Sequence, residues 1–212
     1  MMVLDELRED VDPLLTVIAK RFLSLSPNFV TWLSLVFAAI AGIIFFLSTP
    51  ENENSNYFLC IASLFVFLNG LMDAIDGKIA KMKGKSSPEG DFLDHAIDRF
   101  SDVFILVGLS LSNWCDDRLG VLAIAGVLLT SYMGTQAQAV GYKRIYKGLL
   151  GRADRLVLLM IFPVIQHFFV NFRFRDFNLL EMVLIYFAIV GFITSIQRFY
   201  ITLRWFRKRG GR

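Results

Sequence analysis

The sequence contains few of the residues on which disulfide scaffolds and thiolate metal sites depend. Its 212 residues include two cysteines and two histidines. Cys60 and Cys115 lie in or beside apolar segments without CxxC spacing, so we expect small core or lipid-facing side chains there. No internal repeat is visible, and the acidic N-terminus has no basic region typical of a cleavable signal peptide. A single domain over residues 1–212 is expected.

Charge is also sparse. Asp, Glu, Lys and Arg together make up 19% of the chain, whereas 55% is hydrophobic and the mean hydropathy is +0.55. A soluble domain is usually about 45–50% apolar. The composition therefore predicts an integral membrane protein, and nothing in it indicates a nucleic-acid partner.

The apolar residues form long runs. A membrane-spanning helix needs about 20 mostly apolar residues, and six segments qualify: 29–48, 57–76, 92–112, 119–142, 153–171 and 178–203. Residues 3–24 alternate apolar and acidic side chains at helical spacing, which predicts an amphipathic helix on the membrane surface. We expect an all-α integral membrane protein with an interfacial helix (1–25), a six-helix bundle (26–204) and a basic tail (205–212).

Lysine and arginine are distributed unequally between the two ends of this bundle. Most lie in the N-terminal helix, the 77–91 loop, the segment 143–155 and the C-terminal tail, which share one side. The other side has only Arg118, Arg173 and Arg175. Cytoplasmic loops of membrane proteins carry the excess of Lys and Arg. We therefore expect a multi-pass protein of the cell membrane with both termini and the 77–91 loop in the cytoplasm.

Four aspartates stand at this cytoplasmic side. Asp73 and Asp76 are three residues apart, and Asp94 and Asp98 are four apart, so each pair shares one helix face. If the loop between them makes the two helices antiparallel, the four carboxylates converge. They then need a cation between them, and an all-oxygen set favours hard divalent ions such as Mg²⁺. Two such ions are a recurring device in phosphoryl chemistry.

Small and basic residues beside the aspartates suit a phosphorylated ligand. Gly77 and Gly90 allow close approach to the backbone, and Ala80 lies one helical turn beyond Gly77. Lys81 adds a positive charge suited to a diphosphate. We read His95 as a supporting or surface residue rather than as a catalyst.

The stretch from Asp73 to Asp98 resembles the signature of the CDP-alcohol phosphotransferase family, D-x2-D-G-x2-A-R-x8-G-x3-D-x3-D. Every spacing is intact, and Lys81 stands where the family usually has Arg. Lys keeps the charge but loses the bidentate fork, so diphosphate binding is expected to be altered. Residues 27–31, PNFVT, are similar to the P-N-x-x-T that opens the first span of many members.

The resemblance implies that Asp73, Asp76 and Asp94, with help from Asp98, hold two Mg²⁺ ions, with Mn²⁺ as an alternative. Asp98 would also take the proton from an acceptor hydroxyl, which attacks the lipid-bearing phosphorus of a CDP-linked lipid and expels CMP. The lipid, diacylglycerol or archaeol, and the oligomeric state, a homodimer included, stay open. The residues implied to frame the nucleotide are Gly77, Ala80, Lys81 and Gly90, with Asn28 and Thr31.

Three arginines indicate the acceptor. Arg152 and Arg155 are three residues apart at the start of the fifth span, and Arg198 lies within the sixth, where an unpaired charge is costly. Guanidinium groups suit a phosphate on the acceptor, although anchoring at the membrane interface is an alternative role. The arginine pattern resembles the branch that uses inositol 1-phosphate, whose archaeal members make archaetidylinositol phosphate.

Alternatives remain at this stage. The inositol phosphate branch usually has basic residues in the fourth span, whereas this chain has Gly134, Gln136 and Gln138 there. Glycerol phosphate is therefore the second candidate acceptor, and serine is the third. A cation channel or carrier is the alternative from another class, because carboxylates inside a membrane also mark ion pathways.

Overall fold

A computed structural model describes residues 3–51, 53–84, 87–145 and 148–210. These residues form seven α-helices, and each predicted span, like the predicted N-terminal helix, overlaps one of them. In chain order the helices are α1 (Val3–Arg21), α2 (Pro27–Leu47), α3 (Glu53–Met82), α4 (Pro88–Ser110), α5 (Asp117–Ala139), α6 (Arg152–Phe168) and α7 (Leu179–Gly210).

Two helices that border the aspartates begin in the same way. The Ser26 hydroxyl accepts a hydrogen bond from the Phe29 amide at 3.2 Å before α2, and the Ser87 hydroxyl accepts one from the Gly90 amide at 3.1 Å before α4. A proline follows each serine. Serine is a favoured N-cap, and proline fits the first helical position because no amide partner is needed there. The local sequence therefore fixes where both helices start.

Glycines allow the helices to pack closely. The helix α2 packs along α3 and α4, α5 packs along α7, and α6 contacts α3 and α7. A Cβ atom on Gly108 of α4 would lie 2.0 Å from the Gly42 carbonyl oxygen of α2, so the two backbones touch there. Such close approach through small residues is typical of helices in membranes. It holds α4 against α2 and thereby sets the position of its aspartates.

Six spans were predicted, and among the residues that the structure describes four helices are long and apolar enough to cross a membrane by length and composition: Pro27–Leu47, Asn56–Met82, Asp117–Ala139 and Leu179–Lys208. The helix α4 is not among these four because it carries a row of acids, and α6 is not among them because it has only 17 residues. Large apolar side chains such as Trp32 and Phe67 are exposed on the outer faces of the bundle. Apolar faces of this extent are typical of contact with lipid, so the chain is a membrane protein.

The two cysteines are both free. Burial, with a smaller effect of Glu181, raises the pKa of the Cys115 thiol. A thiol that stays protonated is a poor nucleophile and a poor metal ligand. Cys115 packs at the edge of the main hydrophobic core, as expected of a small apolar side chain.

Candidate active site

The four signature aspartates lie close together between α3 and α4. Carboxylate oxygens of Asp73, Asp76 and Asp94 lie within 4.8 Å of one another, and ligand atoms of Asp94, His95 and Asp98 do the same. Asp94 therefore belongs to both groups. The structure brings together the residues that the spacing of the sequence placed on two facing helices.

A buried amide fixes the helices below these carboxylates. Asn69 lies one turn before Asp73 on α3 and is fully buried. Its Nδ2 donates to the Ser34 carbonyl of α2 at 2.9 Å and to the Ser101 hydroxyl of α4 at 3.3 Å. Asn69 was not predicted from the sequence, although an amide inside an apolar run is a recognisable signal because it needs a partner. Asn69 sets the relative height of three helices and thus of the aspartates above it.

Asp76 is the carboxylate most in need of a cation. Its residue is 4% exposed, and Thr31 of α2, 5% exposed, lies beside it. The Asp76 Oδ2 atom is buried without a hydrogen-bond partner among the described residues. A buried carboxylate oxygen without a partner is costly. A set of carboxylate oxygens that includes an unsatisfied one fits a hard divalent cation such as Mg²⁺ or Mn²⁺.

Arg152, at the start of α6, connects two of the aspartates. Its Nη1 lies 2.5 Å from Asp73 Oδ2 and 2.7 Å from Asp98 Oδ1. The other Asp98 oxygen lies 3.2 Å from Arg99 Nη2. Arg152 Nε and Nη2 are buried and have no hydrogen-bond partner within the described ranges. Arg152 thus contacts the carboxylates with one nitrogen and keeps two donors for another ligand.

His95 contacts acids on its own helix. Its Nδ1 lies 3.2 Å from Asp94 Oδ2, and its Nε2 lies 3.2 Å from the exposed Asp91. Both contacts are local to the first turns of α4. His95 is therefore placed to orient Asp94, in keeping with the supporting role that the sequence suggested.

Arg155 and Asp102 form a second buried pair. Arg155 is 3% exposed and Asp102 is 5% exposed, and Arg155 Nη2 lies 3.0 Å from Asp102 Oδ2. Arg155 Nη1 also donates to the Val127 carbonyl of α5 at 3.4 Å. Asp102 continues the row of Asp94 and Asp98 at four-residue spacing along α4. That spacing was visible in the sequence, but Asp102 lies outside the signature and was not predicted.

Arg198 reaches the same region from α7. It is 7% exposed, and its Nη1 donates to the Thr130 carbonyl of α5 at 2.6 Å. A Cβ on Gly134 would come within 2.9 Å of that nitrogen, so glycine leaves the room for the arginine. Arg99, Arg144 and Arg155 are close enough to repel Arg198 electrostatically. Of the three predicted acceptor arginines, only Arg152 contacts the signature carboxylates within the described residues. Arg155 pairs with Asp102 instead, and Arg198 contacts α5 near Arg155.

The residues predicted to frame the nucleotide lie on α2, α3 and α4. Gly77 is exposed, with no atom within 4 Å of a Cβ built on it, so space is open above α3 at this point. Lys81 is also exposed, and Ala80 is partly buried. Asn28 and Gly90 adjoin each other, because a Cβ on Gly90 would lie 3.9 Å from Asn28 Oδ1. Together with Thr31 beside Asp76, these residues border the carboxylates from three helices.

Comparison with known proteins agrees with this geometry. The profile of the CDP-alcohol phosphatidyltransferase family matches residues 24–197. The chain is 28% identical over 200 residues to the archaetidylinositol phosphate synthase of Pyrococcus horikoshii, covering 93% of this chain and 95% of that protein.

Solved structures share the fold. Crystal structures of the phosphatidylinositol phosphate synthase of Mycobacterium tuberculosis align with TM-scores of 0.72, with CDP-DAG bound, and 0.71, in complex with manganese and citrate. Both are 23% identical and cover 89% of this chain, and 92% and 88% of theirs, respectively. The family match sets aside the alternative of a cation channel or carrier. The chain belongs to the CDP-alcohol phosphatidyltransferase family and is a transferase.

Proposed function

We propose that the protein transfers the phospholipid moiety of a CDP-linked lipid to a hydroxyl of inositol 1-phosphate and releases CMP. The donor is CDP-archaeol or CDP-diacylglycerol. The observation that carries the acceptor assignment is the grouping of three arginines next to the site. Arg152 contacts two signature carboxylates, Arg155 lies one turn further along α6 against Asp102, and Arg198 lies near Arg155. Guanidinium groups bind phosphate through charge-assisted hydrogen bonds. The names of the Pyrococcus horikoshii and Mycobacterium tuberculosis relatives support the same acceptor.

Asp73, Asp76 and Asp94, with Asp98, are the residues that would hold two divalent ions. The unsatisfied Asp76 oxygen and the oxygen-only donor set support this assignment, and the manganese complex of the mycobacterial relative agrees with it. When bound, such ions supply positive charge that polarises the diphosphate and stabilises the departing CMP.

Asp98 is the proposed general base. Arg99 and Arg152 each contact one of its oxygens, which holds the carboxylate in place beside Asp94. The acceptor hydroxyl oxygen bonds to the lipid-bearing phosphorus while its proton passes to Asp98. The bond from that phosphorus to the CMP oxygen breaks, and the electron pair leaves with CMP.

The nucleotide is proposed to lie over the exposed face of α3. Gly77 and Ala80 leave room for it, Lys81 contributes a positive charge, and Gly90, Asn28 and Thr31 border it from α4 and α2. The open space above Gly77 supports this placement. Because Lys81 is exposed, we expect it to act as a mobile point charge rather than as a fixed hydrogen-bond donor.

We further propose that α2 to α7 all span the cell membrane, that α1 lies on its surface, and that the site and both termini face the cytoplasm. The helix α4 can span despite its acids, because Asp98 and Asp102 are buried inside the bundle and the other acids lie in its first two turns. The excess of Lys and Arg on the side of the 77–91 loop supports this orientation.

Glycerol phosphate is the second candidate acceptor. Gln136 and Gln138, near the end of α5, are exposed and uncharged, so α5 brings no basic side chain to the acceptor at these positions. A smaller phosphorylated alcohol needs fewer contacts. The lack of basic side chains on α5 therefore favours glycerol phosphate as the alternative to inositol 1-phosphate. Serine ranks below both, because it has no phosphate for the arginines to bind.

The proposed function is tested by CMP release from a radiolabelled CDP-lipid with purified protein and Mg²⁺. Inositol 1-phosphate, glycerol phosphate, serine and free inositol are compared at equal concentration, and the Asp76→Asn variant serves as the inactive control. We expect the highest kcat/KM with inositol 1-phosphate. A higher value with glycerol phosphate would select the second candidate, and efficient use of serine or free inositol would contradict a phosphorylated acceptor.

A further inference from the structure

Asp102 has no place in the family signature, yet it lies fully inside the bundle against a guanidinium group. Its Oδ2 is 3.0 Å from Arg155 Nη2, and both residues are at most 5% exposed. Removing two charges from water costs as much as their attraction returns, and an apolar pair of similar size is often equally stable. Stability alone therefore does not explain this buried ion pair, which suggests that the Arg155 side chain has to be held in a fixed orientation.

The Arg155 guanidinium is held from two helices. Asp102 of α4 contacts Nη2, and the Val127 carbonyl of α5 accepts from Nη1 at 3.4 Å. Arg155 Nε is buried without a hydrogen-bond partner within the described part of the chain. Arg198 donates to the Thr130 carbonyl, three residues further along α5. The two guanidinium groups thus occupy neighbouring positions along one stretch of α5.

Asp102 also separates Arg155 from the metal-binding carboxylates. Asp98 lies one helical turn before Asp102 on α4 and attracts Arg155 electrostatically. Arg152, one turn before Arg155 on α6, is the arginine in contact with Asp98. The closer partner Asp102 keeps Arg155 one turn away from Asp98, so that the two arginines point to different places.

We propose that Asp102 is a positioning residue, whose carboxylate holds the Arg155 guanidinium so that Arg155 binds the acceptor phosphate together with Arg198. This inference rests on the proposed function, because it needs an acceptor that carries a phosphate. It assigns to Asp102 a role in acceptor affinity that is separate from the chemistry at Asp98.

The test is a kinetic comparison of Asp102→Asn with the wild type, using CDP-lipid, inositol 1-phosphate and inorganic phosphate as a competing inhibitor. We expect the acceptor KM and the inhibition constant of phosphate to rise about tenfold, as for the loss of one charged hydrogen bond. The KM for CDP-lipid, and kcat at saturating acceptor, should stay within about twofold, since Asp102 touches neither the metal site nor the nucleotide. The exposed Asp117→Asn is the matched control and should resemble the wild type.

A second pair of variants separates positioning from stability. In an Arg155→Gln background, adding Asp102→Asn should raise the acceptor KM no further, because the partner through which Asp102 acts is gone. Asp102→Glu, which keeps the charge, should recover part of the lost affinity. If Asp102→Asn is too unstable to purify, Arg155→Lys replaces it in the test. This variant keeps both charges of the ion pair with Asp102 but loses the forked donors of the guanidinium, so the acceptor KM should again rise about tenfold.

Several results would overturn the role of Asp102. These are an unchanged acceptor KM with a lowered Tm, an equal rise in the KM of both substrates, or an unchanged acceptor KM in Arg155→Lys. Failure of the proposed function can be distinguished from failure of the role of Asp102, because the acceptor preference of the wild type alone tests the proposed function. If the wild type prefers glycerol phosphate, the same comparison with that acceptor and with inorganic phosphate still decides whether Asp102 acts on phosphate affinity.

Discussion

The two halves of the site differ in how their charges are compensated. The carboxylate half is formed by Asp73, Asp76, Asp94 and Asp98. Arg152 contacts two of these four acids, and Arg99 and His95 on α4 contact one each. In the arginine half, formed by Arg155 and Arg198, positive groups lie near one another and Asp102 balances Arg155. One half has an excess of negative charge and the other an excess of positive charge.

This difference indicates what each half binds. Like charges held close together in a low-dielectric site are stable only when a counter-charge joins them. The carboxylate half therefore suits divalent cations, and the arginine half suits a phosphate. Arg152 stands at the boundary, with one nitrogen on the acids and two free donors within the described structure. The predictions below alter the two halves separately.

The largest effect is expected in the carboxylate half. Asp73→Asn, Asp76→Asn or Asp94→Asn removes ligand charge, so CMP release should fall by about 10²–10³-fold while the protein still inserts into the membrane. EDTA should abolish turnover, and Mg²⁺ or Mn²⁺ should restore it. The exposed Glu89→Gln on α4 is the control. If any of the three Asn variants released CMP at the wild-type rate, the two-metal scheme would be contradicted.

Asp98→Asn should separate proton transfer from binding. A general base contributes typically about 10²–10⁴-fold to the rate, so turnover should drop by this factor while CDP-lipid binding in the presence of metal persists. Equilibrium binding of radiolabelled CDP-lipid checks the second part. Loss of binding together with turnover would mean that Asp98 acts mainly as a metal ligand.

Arg152→Gln should affect metal binding, because Arg152 and a divalent cation compete for oxygens of Asp73 and Asp98. We expect the affinity for Mn²⁺, measured by calorimetry, to increase severalfold. In EDTA the Tm should fall, since removing one partner leaves the other charges of a buried pair uncompensated. Weaker metal binding, with an unchanged Tm in EDTA, would show that Arg152 does not share the carboxylates with the metal.

The smallest effect is expected at Lys81. Because Lys81 is an exposed point charge near the diphosphate, Lys81→Ala should raise the CDP-lipid KM only modestly, by about a few fold. Lys81→Arg should be tolerated and can add a second hydrogen bond to the diphosphate. Steady-state kinetics with varied CDP-lipid measures both variants. An identical KM for the wild type and the alanine variant would place Lys81 outside the nucleotide site.

The sequence predicted the carboxylate half better than the arginine half for a physical reason. Asp73 to Asp98 lie within one pair of helices joined by a short loop, so helical spacing alone indicates which side chains meet. Asp102 and Arg155 come from α4 and α6, and only the packing of the bundle brings them together. The role of Asn69 likewise depends on its contacts with α2 and α4. The helix positions could be predicted because long apolar runs mark them.

The most direct test of the account compares inositol 1-phosphate with free inositol as acceptor, in the wild type and in Arg198→Gln. The exposed Arg204, on the same helix, provides the control variant Arg204→Gln. We predict that the wild type and the control favour the phosphorylated acceptor by about a thousandfold or more in kcat/KM, because a site built for a charged group rejects the analogue that lacks it. In Arg198→Gln this preference should shrink about ten- to a hundredfold. Equal use of both acceptors by the wild type, or an undiminished preference in Arg198→Gln, would contradict phosphate recognition by the arginine half.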